Sequence, residues 1–230
     1  MTTRTANLAL AVAALLGAPL VGAAGVNTNG SEARKPAVQI FADARRAMLG
    51  AKNFHVLGSV HETGAQVSLN LSLSPGLGGG TIQLPGVTMQ LVVSGGSVYI
   101  KADEKSWLKL TGSEPTAELV ADRWIKASAS NPDFSSFTEL ALSKSFMAQI
   151  TLGTSAVSKF PVTANWGGHM AVILTDNVGD RLYVVDGTTP YMLHIQRGPG
   201  AASGYITFSD FGTAPMPTIP VNAISFGNSS

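Results

Sequence analysis

The stretch VSLNLSLS, residues 67–74, alternates without a break. Val67, Leu69, Leu71 and Leu73 fall on one side of an extended chain, and Ser68, Asn70, Ser72 and Ser74 on the other. A helix repeats its faces about every 3.6 residues, so a strict period of two specifies a β-strand with one wet and one dry face. Such a strand needs partners with the same alternation, and its dry side needs a cover.

The partners are present. NFHVLGSVHE (53–62) places Phe54, Val56, Gly58 and Val60 on one face. VTMQLVV (87–93) alternates Val87, Met89, Leu91 and Val93, and SVYIKA (97–102) alternates Val98, Ile100 and Ala102. GLGGG (76–80) is expected to be a hairpin turn before TIQLP, and SWLKL (106–110) a closing strand. Short strands joined by Gly-, Ser- and Pro-containing turns predict an antiparallel meander, not parallel βαβ units. Strands resume near the end as VSKFPV, HMAVILTD, RLYVVDG, YMLHIQ and GYITFSDF, with turns at 177–180 and 187–190. The Pro-rich tail is expected to pair weakly at an edge.

Two helical regions interrupt the strands. Pro36 suits a first helical turn, and Val38, Phe41, Ala42, Arg45, Met48 and Leu49 follow amphipathic spacing up to Gly50. Arg45 lies on that stripe and is expected to pack its stem while its head reaches water. GSEPTAELVAD (112–122), with Pro115 early and Glu118, Leu119 and Val120 after it, reads as a short helix. Residues 136–149 read as a longer one, with Ser136 and Glu139 in capping-box spacing. Phe137, Leu140, Ala141, Met147 and Ala148 share its apolar face. About ten or eleven strands thus face two full helices and a short one. Such a sheet has more apolar surface than those helices cover. Either it closes as a barrel or sandwich, or it curls around the helices and leaves apolar space, where greasy ligands bind.

The N-terminus reads as an export signal. Arg4 is the only charge before Glu32, Leu8–Leu16 is apolar, and a small-residue zone follows. The expected organisation is a signal peptide over 1–24, a flexible tether over 25–35 and a single domain over 36–230. The chain is 13% charged, about half the ~25% usual for soluble proteins. Its net charge of +1 provides no general attraction to nucleic acid or anionic membranes. With no cysteine, disulfides, thiol nucleophiles and Cys-ligated metals are excluded.

The segments GSVYIKADEKSWLKL, AELVADRWIKASASNPDF, AVILTDNVGDRLYVVDGTTPYMLHI and ITFSDFG resemble exported actinobacterial lipoproteins of the LppX/LprG type, which belong with the LolA-like lipoprotein carriers. The resemblance runs from about Val38 to Phe226. It implies an α+β fold, an antiparallel sheet curled into a half-open β-barrel with helices packed in its concave face. It further implies a lipid or lipidated-glycan ligand between sheet and helices. One departure stands out: Leu20, Val21 and Gly22 fit a lipobox, but Ala23 stands where the anchoring cysteine belongs, and alanine cannot carry a thioether lipid. As written, the chain is expected to be released by ordinary signal cleavage into the envelope or the medium.

No catalytic constellation is arranged in the sequence. His55, His61, His169 and His194 are scattered, and His55, His61 and His194 are expected on wet strand faces. GLGGG lacks the Lys-Ser/Thr of a phosphate loop, no Gly-x-Ser-x-Gly elbow occurs, and Asp103 and Glu104 are expected in a solvated turn. With the resemblance and the uncovered apolar face, the expected activity is non-catalytic lipid binding and transfer by a monomer that meets membrane surfaces transiently, with no cofactor, metal or nucleic acid. Val67, Leu69, Leu71, Leu73, Val87, Met89, Leu91, Val98, Ile100, Phe41, Leu140 and Met147 are the candidate lining, and Trp107 and Trp124 the candidate rim, where Trp tolerates both lipid and water. The alternatives are a structural or sensory envelope module that binds a protein partner, and an exported hydrolase.

Overall fold

A computed structural model describes residues 32–62, 65–151, 162–177, 179–197 and 203–225. The signal-peptide reading, most of the tether, Ala23 and most of VSKFPV lie outside the described residues.

The alternating segments form strands in the expected places. They are β1 (Phe54–Glu62), β2 (Ala65–Leu73), β3 (Leu77–Leu84), β4 (Val87–Ser94), β5 (Ser97–Ala102) and β6 (Ile125–Ser128). A second series comprises β7 (Val162–Trp166), β8 (His169–Thr175), β9 (Arg181–Val185), β10 (Met192–Gln196), β11 (Gly204–Ser209) and β12 (Ile224–Ser225). The helices are α1 (Ala37–Gly50), α2 (Glu104–Thr111), α3 (Glu114–Val120), α4 (Ser135–Ala141) and α5 (Ser143–Gln149), and a 3-10 turn at Glu32–Arg34 precedes α1.

All twelve strands join one sheet in the order β12-β6-β5-β4-β3-β2-β1-β11-β10-β9-β8-β7. Two antiparallel meanders, β1–β6 and β7–β11, abut where β1 pairs with β11. The sheet is open, with β7 and β12 at its edges. Only the short tail strand β12 pairs in parallel, with β6, as expected of a Pro-rich tail. The fold is an α+β curled sheet with helices on its concave side, and one apolar cluster joins the concave residues of both meanders to the helices.

Four local expectations are corrected. GLGGG is not a turn: Gly78, Gly79 and Gly80 lie inside β3 and pair with Val93, Val92 and Leu91 of β4. SWLKL is helical, because Asp103 caps the segment by accepting the Ser106 amide hydrogen bond, and Gly112 ends it in the left-handed conformation. Asp103 and Glu104 are therefore a cap and a first-turn acid. The helix expected over 136–149 is broken at Leu142, whose backbone is extended. Its expected Ser136–Glu139 capping box does not form, since Phe134 is the N-cap and no side chain caps the helix. Ala148 is exposed, and the buried face of α5 is Phe146 and Met147. Finally, α1 forms as expected but is rotated. Ile40, Ala44 and Met48 are its fully buried residues, while Val38, Ala42 and Leu49 are exposed.

Candidate functional site

The register of the sheet organises its dry face into rows. One row runs Phe208–Val56–Leu71–Gly80–Leu91–Ile100–Ile125 across seven strands. The next runs Leu174–Leu182–Ile195–Ile206–Gly58–Leu69–Ile82–Met89–Ala102 across nine. A third begins Phe54–Leu73–Gly78–Val93–Val98–Ala127. Because side chains alternate faces residue by residue along each strand and paired residues share a face, matched rows place apolar groups side by side over most of the sheet's width. Each such residue contributes about 1.5–3 kcal/mol when removed from water.

The structure brings the candidate lining residues together. Val67, Leu69, Leu71, Leu73, Val87, Met89, Leu91, Val98 and Ile100 are buried on this face, and Leu140 and Met147 of α4 and α5 are buried against it. Phe41 of α1 is half-buried at its margin. Trp107 packs in the same cluster from α2, and Trp124, just before β6, is half-buried. The main helix–sheet contacts are those of α2 with β4, of α4 with β2, β3 and β4, and of α1 with β10.

Three features of the structure had no counterpart in the sequence reading. First, Gly78 and Gly80 leave a bare strip in the middle of the rows. A side chain at Gly78 would strike the Ala141 carbonyl oxygen, and one at Gly80 the Asn70 carbonyl. Gly78 admits the α4–α5 junction, and there Leu142 pairs with Ser74 as an isolated bridge, the Ser143 amide donating to the Ser74 carbonyl at 3.1 Å. Second, among the described residues five buried polar atoms lack hydrogen-bond partners: Trp107 Nε1, Ser136 Oγ, Thr138 Oγ1, Gln149 Oε1 and Glu32 Oε2. A satisfied core seldom leaves such atoms unpaired, because each costs about 1–3 kcal/mol.

Third, a charged network anchors the start of α1. Lys35 Nζ lies 2.7 Å from both Glu32 Oε1 and Asp43 Oδ2. Gln39 and Arg46 also donate to Asp43 Oδ1, at 2.8 Å each. The Ala33 amide donates to Asp186 Oδ1 at 3.3 Å, tying this turn to the end of β9. Burial pushes the Glu32 carboxyl up, against the pull of Lys35. Burial pushes the Asp43 carboxyl up too, but hydrogen bonds from Lys35, Gln39 and Arg46 outweigh it and hold the group below the usual carboxylate range.

The histidines divide. His55 bonds Asn70 Oδ1 through Nε2 at 2.8 Å on the outer face, and His61 and His169 are exposed. The expectation of a wet His194 is corrected, since the residue is 5% exposed. Trp166 stacks on it at 4.4 Å, Tyr183 meets it edge-on, and Thr207 Oγ1 lies 2.9 Å from Nδ1. Burial lowers its pKa below the usual histidine value. A small outer cluster of Ala171, Tyr183 and Leu193 accounts for this cover. Among the described residues, no group of three or more His, Asp or Glu side chains is placed to hold a metal, and no helix is long and apolar enough to cross a membrane.

No family model matches the chain, and no curated protein matches it. Solved structures do. LprF from Mycobacterium bovis aligns over 84% of this chain and 100% of its own, at 17% identity and a TM-score of 0.49. The Mycobacterium tuberculosis lipoprotein LppX aligns over 81% of this chain and 99% of its own, at 13% identity and a TM-score of 0.46. A LolA superfamily protein from Nitrosomonas europaea covers 80% of this chain and 96% of its own, at 11% identity and a TM-score of 0.28. Each of these alignments spans most of both chains at low identity.

Proposed function

We propose that this chain binds a lipid or lipidated glycan without catalysis, holds its acyl chains between the curled sheet and the helices, and passes it on within the cell envelope. The observation that carries this reading is the set of apolar rows, which run unbroken by charge across up to nine strands of an open sheet. The helices that meet them are short and segmented, and α4 and α5 are joined through a single extended residue. Short helices held by side-chain packing separate from a sheet at lower cost than one continuous helix, because each unit carries less buried area. Trp107, Ser136 and Thr138 supply unpaired polar atoms within this layer, suited to an ester or headgroup. Shielding an acyl chain is favourable by about 0.8 kcal/mol per methylene, so affinity needs no charged anchor.

Native mass spectrometry of the protein purified from its own host tests the reading. Co-purified lipid is expected, released on unfolding. Protein that emerges without lipid, and whose unfolding midpoint does not move when host lipid extract is added, would overturn it.

A further inference from the structure

Helix α1 carries apolar residues on two sides. Ile40, Ala44 and Met48 have no solvent exposure and pack inward. Val38 is 53% exposed, Leu49 is 43% exposed, and Ala42 between them is also exposed. At about 100° per residue, positions 38, 42, 45 and 49 share a sector roughly 60° wide, turned away from the buried face. Of the described helices and strands, α1 alone exposes two large apolar side chains. Leu57, Leu108, Leu119, Met170 and Tyr205 are each single on their elements, which is ordinary for a protein surface.

Charge is concentrated at the same place. Residues 32–52 contain Arg34, Lys35, Arg45, Arg46 and Lys52 against Glu32 and Asp43, a net of +3 where the whole chain carries +1. Both acids are buried and held by Lys35. Arg34, Arg46 and Lys52 are exposed and Arg45 is half-exposed, so this side shows solvent a positive surface around an apolar stripe.

We infer that the outer face of α1 is a docking surface for an anionic bilayer. A shallow apolar stripe fits between headgroups while the flanking cations meet lipid phosphates, the arrangement of helices that lie in the plane of the interface. Arg45, inside the stripe, reaches the headgroups through its flexible stem. Two large apolar side chains fall far short of the ~800 Å² per partner of a stable protein interface, whereas a bilayer accepts a shallow insertion. The inference takes its purpose from the carrier reading above, and lipid loading is measured separately so that the two fail independently.

The chain has no cysteine, so Ala42→Cys carries a single environment-sensitive fluorophore on α1, and Val221→Cys carries the same fluorophore at a site that is 92% exposed. With vesicles of phosphatidylglycerol and phosphatidylcholine, the Ala42 label is expected to brighten at least about threefold and shift to the blue, while the Val221 label stays unchanged. Arg45→Glu with Lys52→Glu is expected to weaken vesicle binding by about tenfold or more at low salt. Leu49→Ser is expected to weaken it by at least about threefold. Co-purified lipid should be unaltered in each. A label that stays in water with anionic vesicles overturns the inference. So does an equal response to pure phosphatidylcholine that the charge reversal does not reduce. A response that rises with protein concentration and needs no vesicle assigns the face to a protein contact and overturns it as well.

Discussion

The carbonyl oxygen of Ala141 sits directly over Gly78, so that the end of α4 touches the backbone of β3 with no side chain between them. The contact sets how closely the α4–α5 pair approaches the sheet, and hence how much of the apolar face it closes. Gly78→Ala would drive a methyl group into that oxygen. A loss of about 3 kcal/mol or more is expected, because backbone must move to relieve the overlap. Gly76→Ala, where a side chain meets open space, should change stability by less than about 1 kcal/mol. Urea unfolding of the two variants provides the comparison, and equal midpoints would refute the contact's role.

Asp43 is the hub of the α1 network. Asp43→Ala leaves Lys35 with Glu32 alone and deprives Gln39 and Arg46 of their acceptor, and a loss of about 3 kcal/mol is expected. Because the Asp43 carboxyl is held below its usual value of 3.8, its stabilising effect is complete above that value and fades as pH falls below it. The difference in unfolding free energy between the parent and Asp43→Ala should therefore shrink in strong acid and be constant from pH 6 to 8.

His194 is neutral under its aromatic cover, with a pKa lowered by burial. The unfolded chain takes up a proton near the ordinary value of 6.5 while the folded chain resists it. The folded state is thus fully favoured above that pH and loses stability as pH falls through and below it. His194→Gln should flatten the fall in melting temperature between pH 7 and 5. An unchanged slope would mean that the proton is taken up elsewhere.

Trp107 contributes a large buried ring, but its indole N–H has no partner. Trp107→Phe keeps most of the packing and removes the orphan donor, so its effect on lipid-free protein should stay within about 1 kcal/mol. Trp107→Ala should cost about 3–5 kcal/mol. If Trp107 donates to a bound headgroup, as the proposed function allows, the phenylalanine variant should also lose co-purified lipid by native mass spectrometry.

Much of the architecture was legible in the chain. The run from Val67 to Leu73 specified a strand and its dry side, and Val87–Val93 and Val98–Ala102, two and three strands further along the same sheet, carried the same alternation, because a period of two sustained over several residues fits an extended chain and not a helix. Pro36 and Gly50 marked α1 at both ends. SWLKL misled because Trp-Leu-Lys-Leu alternates like a strand, and the Asp103 cap three residues before Ser106 was the discriminating signal. GLGGG misled because glycines are the commonest turn residues, yet here Gly78 is bare so that a helix end can approach, and side chains at Gly79 and Gly80 would strike the backbone of the neighbouring strands. The rotation of α1 was open in the sequence, since Val38, Phe41, Ala42 and Leu49 are as apolar as Ile40, Ala44 and Met48.

By itself, then, the sequence determined which segments are extended and which side of each is dry, since those properties follow from the spacing of neighbours along one chain. The tertiary structure alone decided that β1 would pair with β11, that Leu142 would break a helix over Gly78, that His194 would lie beneath Trp166, and which flank of α1 would meet water. Each of these depends on residues far apart in sequence whose approach is set by packing and hydrogen bonding in three dimensions, and no local period records it.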